Sequence, residues 1–74
     1  MGHYLDLAEH ESRLARASQE RGELARAASH DAAFHDTAEE LTRQAAEEQH
    51  RARAHFEAAR RYKRLAVEHR ETAG

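Results

Sequence analysis

The residues of this chain whose abundance points to chemistry are its histidines, of which there are seven among 74 residues. They are His3, His10, His30, His35, His50, His55 and His69. No two are four residues apart, the spacing that places two imidazoles one turn apart on one face of a helix. A metal site would therefore need ligands from different segments of the chain.

One candidate set arises if the chain folds back on itself near residue 31, because His10 then approaches the level of Glu48 and His55. Enclosed polar side chains need hydrogen bonds or an ion as partners. Three interpretations stay open: a polar layer that fixes helix register, an exposed layer in a loose contact, or a Zn²⁺-type site completed by a second chain. An enclosed His55 would also charge near pH 6.5 and loosen the assembly as the pH falls.

A second candidate set is the amino terminus, where Met1-Gly2-His3 matches a copper- and nickel-binding pattern. The α-amine, two amide nitrogens and the His3 imidazole supply the square-planar nitrogen set that suits Cu(II) and Ni(II). Loss of the initiator methionine would disrupt this chelate. A divalent metal is therefore predicted only if the chain is a metal-binding protein. For any other function no cofactor is predicted.

The elements that would position these residues are helices. Proline is absent and glycine occurs three times, whereas alanine, glutamate and arginine, which favour helices, are abundant. The clearest pattern is a row of alanines at seven-residue spacing, which comprises Ala38, Ala45, Ala52, Ala59, Ala66 and Ala73. Leu41 and Tyr62 belong to the adjoining row. Such a sustained repeat predicts a coiled-coil-like seam, and its methyl-sized side chains allow a close helix approach.

The first half of the chain carries a weaker repeat. Leu7 and Leu14 begin a ridge of larger side chains, beside a row of small residues formed by Ala8, Ala15 and Gly22. The sequence therefore predicts a second helix with a small-residue groove next to a leucine ridge.

These patterns predict an all-α single domain spanning residues 1–74, an antiparallel helical hairpin with helix 1 at about 3–28 and helix 2 at about 37–72. The turn is expected within 29–36, since Ser29, Asp31 and a Thr37–Glu40 capping box are candidate helix starts. Two alternatives remain: three helices with a break at Gly22, or one continuous helix.

A hairpin this small buries little apolar surface, so we expect it to associate with a second copy. In the predicted register Tyr62, Leu65 and Val67 extend beyond helix 1 without a partner, which also favours association. We expect a homo-oligomer, a dimer forming a four-helix bundle through the alanine seam, which could dock a larger protein.

Charge is divided unevenly along the chain. Residues 1–50 carry five basic and eleven acidic side chains, and residues 51–74 carry seven basic and three acidic ones. A basic patch ends helix 2; it comprises Arg60, Arg61, Lys63, Arg64 and Arg70. Such a patch could contact phosphates. The net charge of −2 disfavours nucleic acid as a partner, however, so a nucleic-acid regulator is the last of the three function hypotheses.

The remaining composition excludes several classes. There is no cysteine, and no apolar run is long enough to span a membrane. Neither a signal peptide nor a myristoylation site is evident, so we expect a cytoplasmic protein. No activated nucleophile or phosphate-binding loop is present, which disfavours an enzyme. The leading hypothesis is a self-associating interaction module, and the alternative is a histidine-based metal binder.

Overall fold

The chain forms two long helices. The computed structural model describes residues 2–71, in which α1 spans His3–Asp31 and α2 spans His35–Glu68. The helices pack against each other as an antiparallel hairpin with extents of 54 × 17 × 11 Å. The all-α hairpin is thus confirmed. Gly22 lies within α1, so the three-helix alternative is wrong, and the chain reversal excludes a single continuous helix.

The helix ends differ from the predicted bounds by a few residues. Helix α1 continues to Asp31 instead of ending near 28, and α2 begins at His35 instead of 37. Phe34 occupies the N-cap of α2 with an extended backbone and no side-chain hydrogen bond. Thr37 lies inside the first turn, so the predicted capping box is wrong. At the other end α2 stops at Glu68, and the predicted end at residue 72 lies outside the described residues.

The hairpin core is made of small side chains. On each helix a row of small buried residues recurs every seven positions, Ala8, Ala15 and Gly22 on α1 and Ala45, Ala52, Ala59 and Ala66 on α2, and Ser18 is buried beside the α1 row. Each of the buried alanines is at most 6% exposed. Because these side chains are so short, the helix axes can approach closely. A β-carbon placed on Gly22 would lie only 3.4 Å from the Ala45 carbonyl oxygen. Four members of the alanine row, Ala45, Ala52, Ala59 and Ala66, therefore pack within one chain, against α1, whereas Ala38 is partly buried and Ala73 lies outside the described residues.

The register of the hairpin differs from the predicted one by about a turn. Tyr4 stacks on Tyr62 with ring centroids 6.4 Å apart, and Glu11 meets His55, so facing residues have numbers that sum to 66. The sequence predicts a sum of about 62. The end of α2 is consequently not an overhang, because Tyr62 and Leu65 are partly buried and Ala66 is only 2% exposed. The prediction of an unpartnered segment is wrong for Tyr62 and Leu65, whereas Val67 is 77% exposed.

The open end of the hairpin is closed by residues that follow α2. Arg70 adopts a left-handed conformation with φ of 55°, and the N–H groups of Arg70 and Glu71 donate to the carbonyls of Val67 and Ala66, respectively. This is a Schellman ending. It directs Glu71 back toward the start of α1. Over the described range, neither helix combines the length and apolarity needed to cross a bilayer.

Candidate functional site

The first polar cluster between the helices is centred on Glu48, which belongs to the row where an apolar side chain would pack. Its carboxylate lies 3.2 Å from Arg21 Nε and accepts a hydrogen bond of 2.8 Å from Arg51. Arg21 also donates to the Ser18 hydroxyl at 3.0 Å. The side chain of Glu48 is only 13% exposed. One carboxylate is thus held between two guanidinium groups from different helices.

The two arginines determine the charge state of Glu48. Burial alone would raise the pKa of the carboxyl, but the charge and hydrogen bonding of Arg21, the Ser18 hydroxyl and the charge of Arg51 lower it. The result is a pKa below the usual 4.5. Glu48 is therefore an anion at neutral pH, engaged by cations of this chain.

The second polar cluster is the Glu11–His55 pair, which lies two turns along α2 from Glu48. His55 Nδ1 is 2.5 Å from Glu11 Oε2, and because a carboxylate only accepts, Nδ1 carries the shared proton. Both side chains are partly exposed, at 34% and 21%. His55 is thus partly exposed and has a carboxylate as its partner, and the predicted loosening of the assembly at lower pH stays a prediction.

The candidate metal ligands do not converge. Glu48 contacts arginines, His55 contacts Glu11, and His10 is exposed on α1. His3 is exposed and packs edge-on against Tyr4, with ring centroids 5.3 Å apart. Within residues 2–71, no group of three His, Cys, Asp or Glu side chains is arranged to hold an ion. The Met1-Gly2-His3 chelate includes Met1, which lies outside the described residues.

One broad face of the hairpin carries leucine side chains interrupted by charged ones. In an antiparallel pair, the residues that immediately precede the buried row on each helix point to the same side. This leucine face comprises Leu7 and Leu14 of α1 with Ala58 and Leu65 of α2. Arg21 and Arg51 precede buried residues in the same way and interrupt it, and Leu24 lies in the adjoining row of α1. Leu14 is 36% exposed and Leu24 is 71% exposed. The ridge predicted beside the small-residue groove is therefore only partly covered within the hairpin, since Leu7 is partly buried and Leu14 is exposed.

The opposite face is basic. A groove of about 480 Å³ between the helices is flanked by Arg16 of α1 and by Arg53, Arg60 and Lys63 of α2, with Phe56 at its side. We call these five residues the cationic groove. It overlaps the predicted basic patch only at Arg60 and Lys63. Arg61 and Arg64 line shallower grooves on the outer side of α2, and Arg70 follows the helix as an exposed residue.

None of the family models, curated proteins or solved structures compared with the chain matches it. Function must therefore be argued from the two faces and the polar clusters themselves.

Sequence reasoning missed Arg16 and Arg53 as members of the basic site. Both directly follow a buried alanine, Ala15 on α1 and Ala52 on α2, as Arg60 follows Ala59. This repeated alanine–arginine pair is a signal that could have located the groove, since residues at equivalent positions of antiparallel helices share one face.

Proposed function

We propose that this chain is a non-enzymatic interaction module that associates with a second copy through its leucine face, forming a four-helix bundle. The observation that carries the proposal is the exposure of Leu14 on this face and of Leu24 in the adjoining row. Large apolar side chains that share an exposed face are typical of association surfaces.

The leucine face is a better contact for a second copy than the alanine row is. The alanines are already enclosed by α1, so a partner could reach them only by opening the hairpin. The broad side of the rod measures 54 × 17 Å. That is enough to provide the ~800 Å² per partner that stable interfaces bury.

Charge complementarity also favours a second copy, placed antiparallel to the first. The part of α2 near the bend carries Glu40 and Glu47, and the part near the open end carries Arg61 and Arg64. A two-fold axis through the leucine face would place the acidic part of one copy beside the basic part of the other. Such an isologous contact is the usual form of a homodimer.

The test is the mass in solution, measured by sedimentation velocity over a concentration range of roughly 1–200 μM, which spans the affinities expected of a weak to moderate homodimer. A monomer has a mass of 8.4 kDa. We expect the wild type to form dimers as concentration rises and Leu24→Glu to remain monomeric with unchanged helix content. Leu24 is 71% exposed, so its replacement leaves the hairpin core intact.

The matched control is Val67→Glu, because Val67 is similarly exposed at 77% but follows the buried row and so lies on the opposite side. It should dimerise like the wild type. A wild type that stays at 8.4 kDa throughout would exclude the proposal, and equal dissociation of both variants would show that the leucine face is not the contact.

A further inference from the structure

The cationic groove concentrates positive charge that the hairpin does not neutralise. Arg16, Arg53, Arg60 and Lys63 line it together with a single carboxylate, that of Glu57. Among residues 2–71 the ion pairs lie elsewhere, on Arg13, Arg21, Arg43 and Arg51 and on two histidines. Four like charges around one groove repel each other unless an anion lies between them. The local charge is thus opposite in sign to the net charge of the chain.

The groove is elongated. A second cavity of about 250 Å³ shares Arg53 and Phe56 with the first and continues toward the bend, where Arg26, Gln49 and the carboxylate of Glu23 line it. From Lys63 to Gln49 the groove follows α2 for fourteen residues, a length of about 21 Å. A compact anion such as a single phosphate would meet only part of this row. An extended polyanion could contact all of it.

The aromatic ring of Phe56 favours a polyanion that carries bases. Its partly buried ring borders both cavities, between the arginines of α2 and the polar side chains of α1. A positively charged groove that tracks a backbone, combined with an aromatic ring on which a base can stack, is the arrangement that binds single strands without sequence preference. In a duplex the bases are already stacked on one another and cannot reach such a ring.

We propose that the cationic groove binds single-stranded nucleic acid, with Arg16, Arg53, Arg60 and Lys63 contacting phosphates and Phe56 stacking on a base. The groove lies opposite the leucine face, so this activity is independent of self-association. This binding does not depend on the nucleotide sequence, because its contacts are to phosphates and to the face of a base.

The test uses the full chain and fluorescence anisotropy with labelled oligothymidylate and oligouridylate, over a series of salt concentrations. We expect binding whose affinity falls steeply with salt. Arg53→Gln combined with Arg60→Gln should weaken binding at least tenfold and make the salt dependence shallower by more than one unit of slope. Phe56→Leu keeps the apolar contact but removes the ring, so it should weaken binding about tenfold with an unchanged salt slope.

The control is Arg43→Gln, which removes the same charge from α2 outside the groove and should keep the wild-type affinity within about twofold, since exposed ion pairs contribute little. Circular dichroism verifies that each variant is helical. Three results would overturn the proposal: no salt-dependent binding by the wild type, equal loss in Arg43→Gln, or inorganic polyphosphate competing as well as the oligonucleotides while Phe56→Leu binds normally.

Discussion

The carboxylate of Glu71 accepts hydrogen bonds from the backbone N–H groups at the start of α1, at 2.8 Å from Tyr4 and 3.1 Å from Leu5. A residue beyond the end of the second helix thus caps the beginning of the first. Gly2, at the N-cap of α1, makes no side-chain hydrogen bond there, so Glu71 supplies the acceptor that local sequence lacks.

Replacement of this cap should be measurable. We expect Glu71→Ala to lower the free energy of unfolding by about 1 kcal/mol, because a helix loses its cap and a favourable charge near its positive end. Urea denaturation followed by circular dichroism measures the change. Glu68→Ala is the control, since Glu68 is exposed at the same end of the molecule. Equal losses in both variants would argue against capping by Glu71.

The close approach of the helices gives a prediction for the core. Ala45 is 3% exposed, and its backbone packs against Gly22 of α1. We expect Ala45→Leu to destabilise the hairpin by about 2 kcal/mol through overpacking. Ala46→Leu, on the exposed side of α2, should change the stability by less than about 0.5 kcal/mol. Similar stabilities of the two variants would contradict the small-residue contact.

Acid should weaken the hairpin through Glu48. Its pKa is lowered in the folded state below the usual 4.5, so the unfolded chain binds this proton more readily. The stabilisation is complete above pH 4.5 and is lost as the pH falls through the lower, folded-state pKa. Glu48→Gln should therefore be less stable than the wild type at pH 7, and the difference should shrink toward pH 3.

Urea denaturation at a series of pH values measures this difference. Glu47→Gln serves as the control because its carboxylate is adjacent but exposed. A gap between wild type and Glu48→Gln that does not depend on pH would exclude the ion-pair cluster as its source.

Much of the fold follows from the sequence because the alanine repeat identifies the face of α2 that is packed. Its small side chains also indicate that this face packs closely against another helix. The turn could not be located in the same way. Residues 32–34 read Ala-Ala-Phe and contain neither glycine nor proline, whereas the candidate caps Ser29, Asp31 and Thr37 all lie inside helices. A turn placed two residues too early shifts every facing pair by a full helical turn.

The polar clusters and the groove depend on that shift. Glu11 lies opposite His55, and Arg21 reaches Glu48, so the predicted polar layer becomes one ion-pair cluster and one histidine–carboxylate hydrogen bond. The basic patch presents the same difficulty. Four of its five members lie between Arg60 and Arg64, but successive residues lie ~100° apart around a helix. The patch is therefore split between two sides of α2, and only part of it joins Arg16 on α1.

The contact between Gly2 and Glu71 has a consequence for engineering. The two ends of the described chain touch so tightly that a side chain on Gly2 would collide with Glu71, while the bend lies at the far tip of a rod 54 Å long. Adjacent ends and a short exposed bend are the conditions under which circular permutation and insertion into a host protein succeed. The hairpin could therefore be grafted into a surface loop as a rigid stalk that carries a cargo several nanometres away.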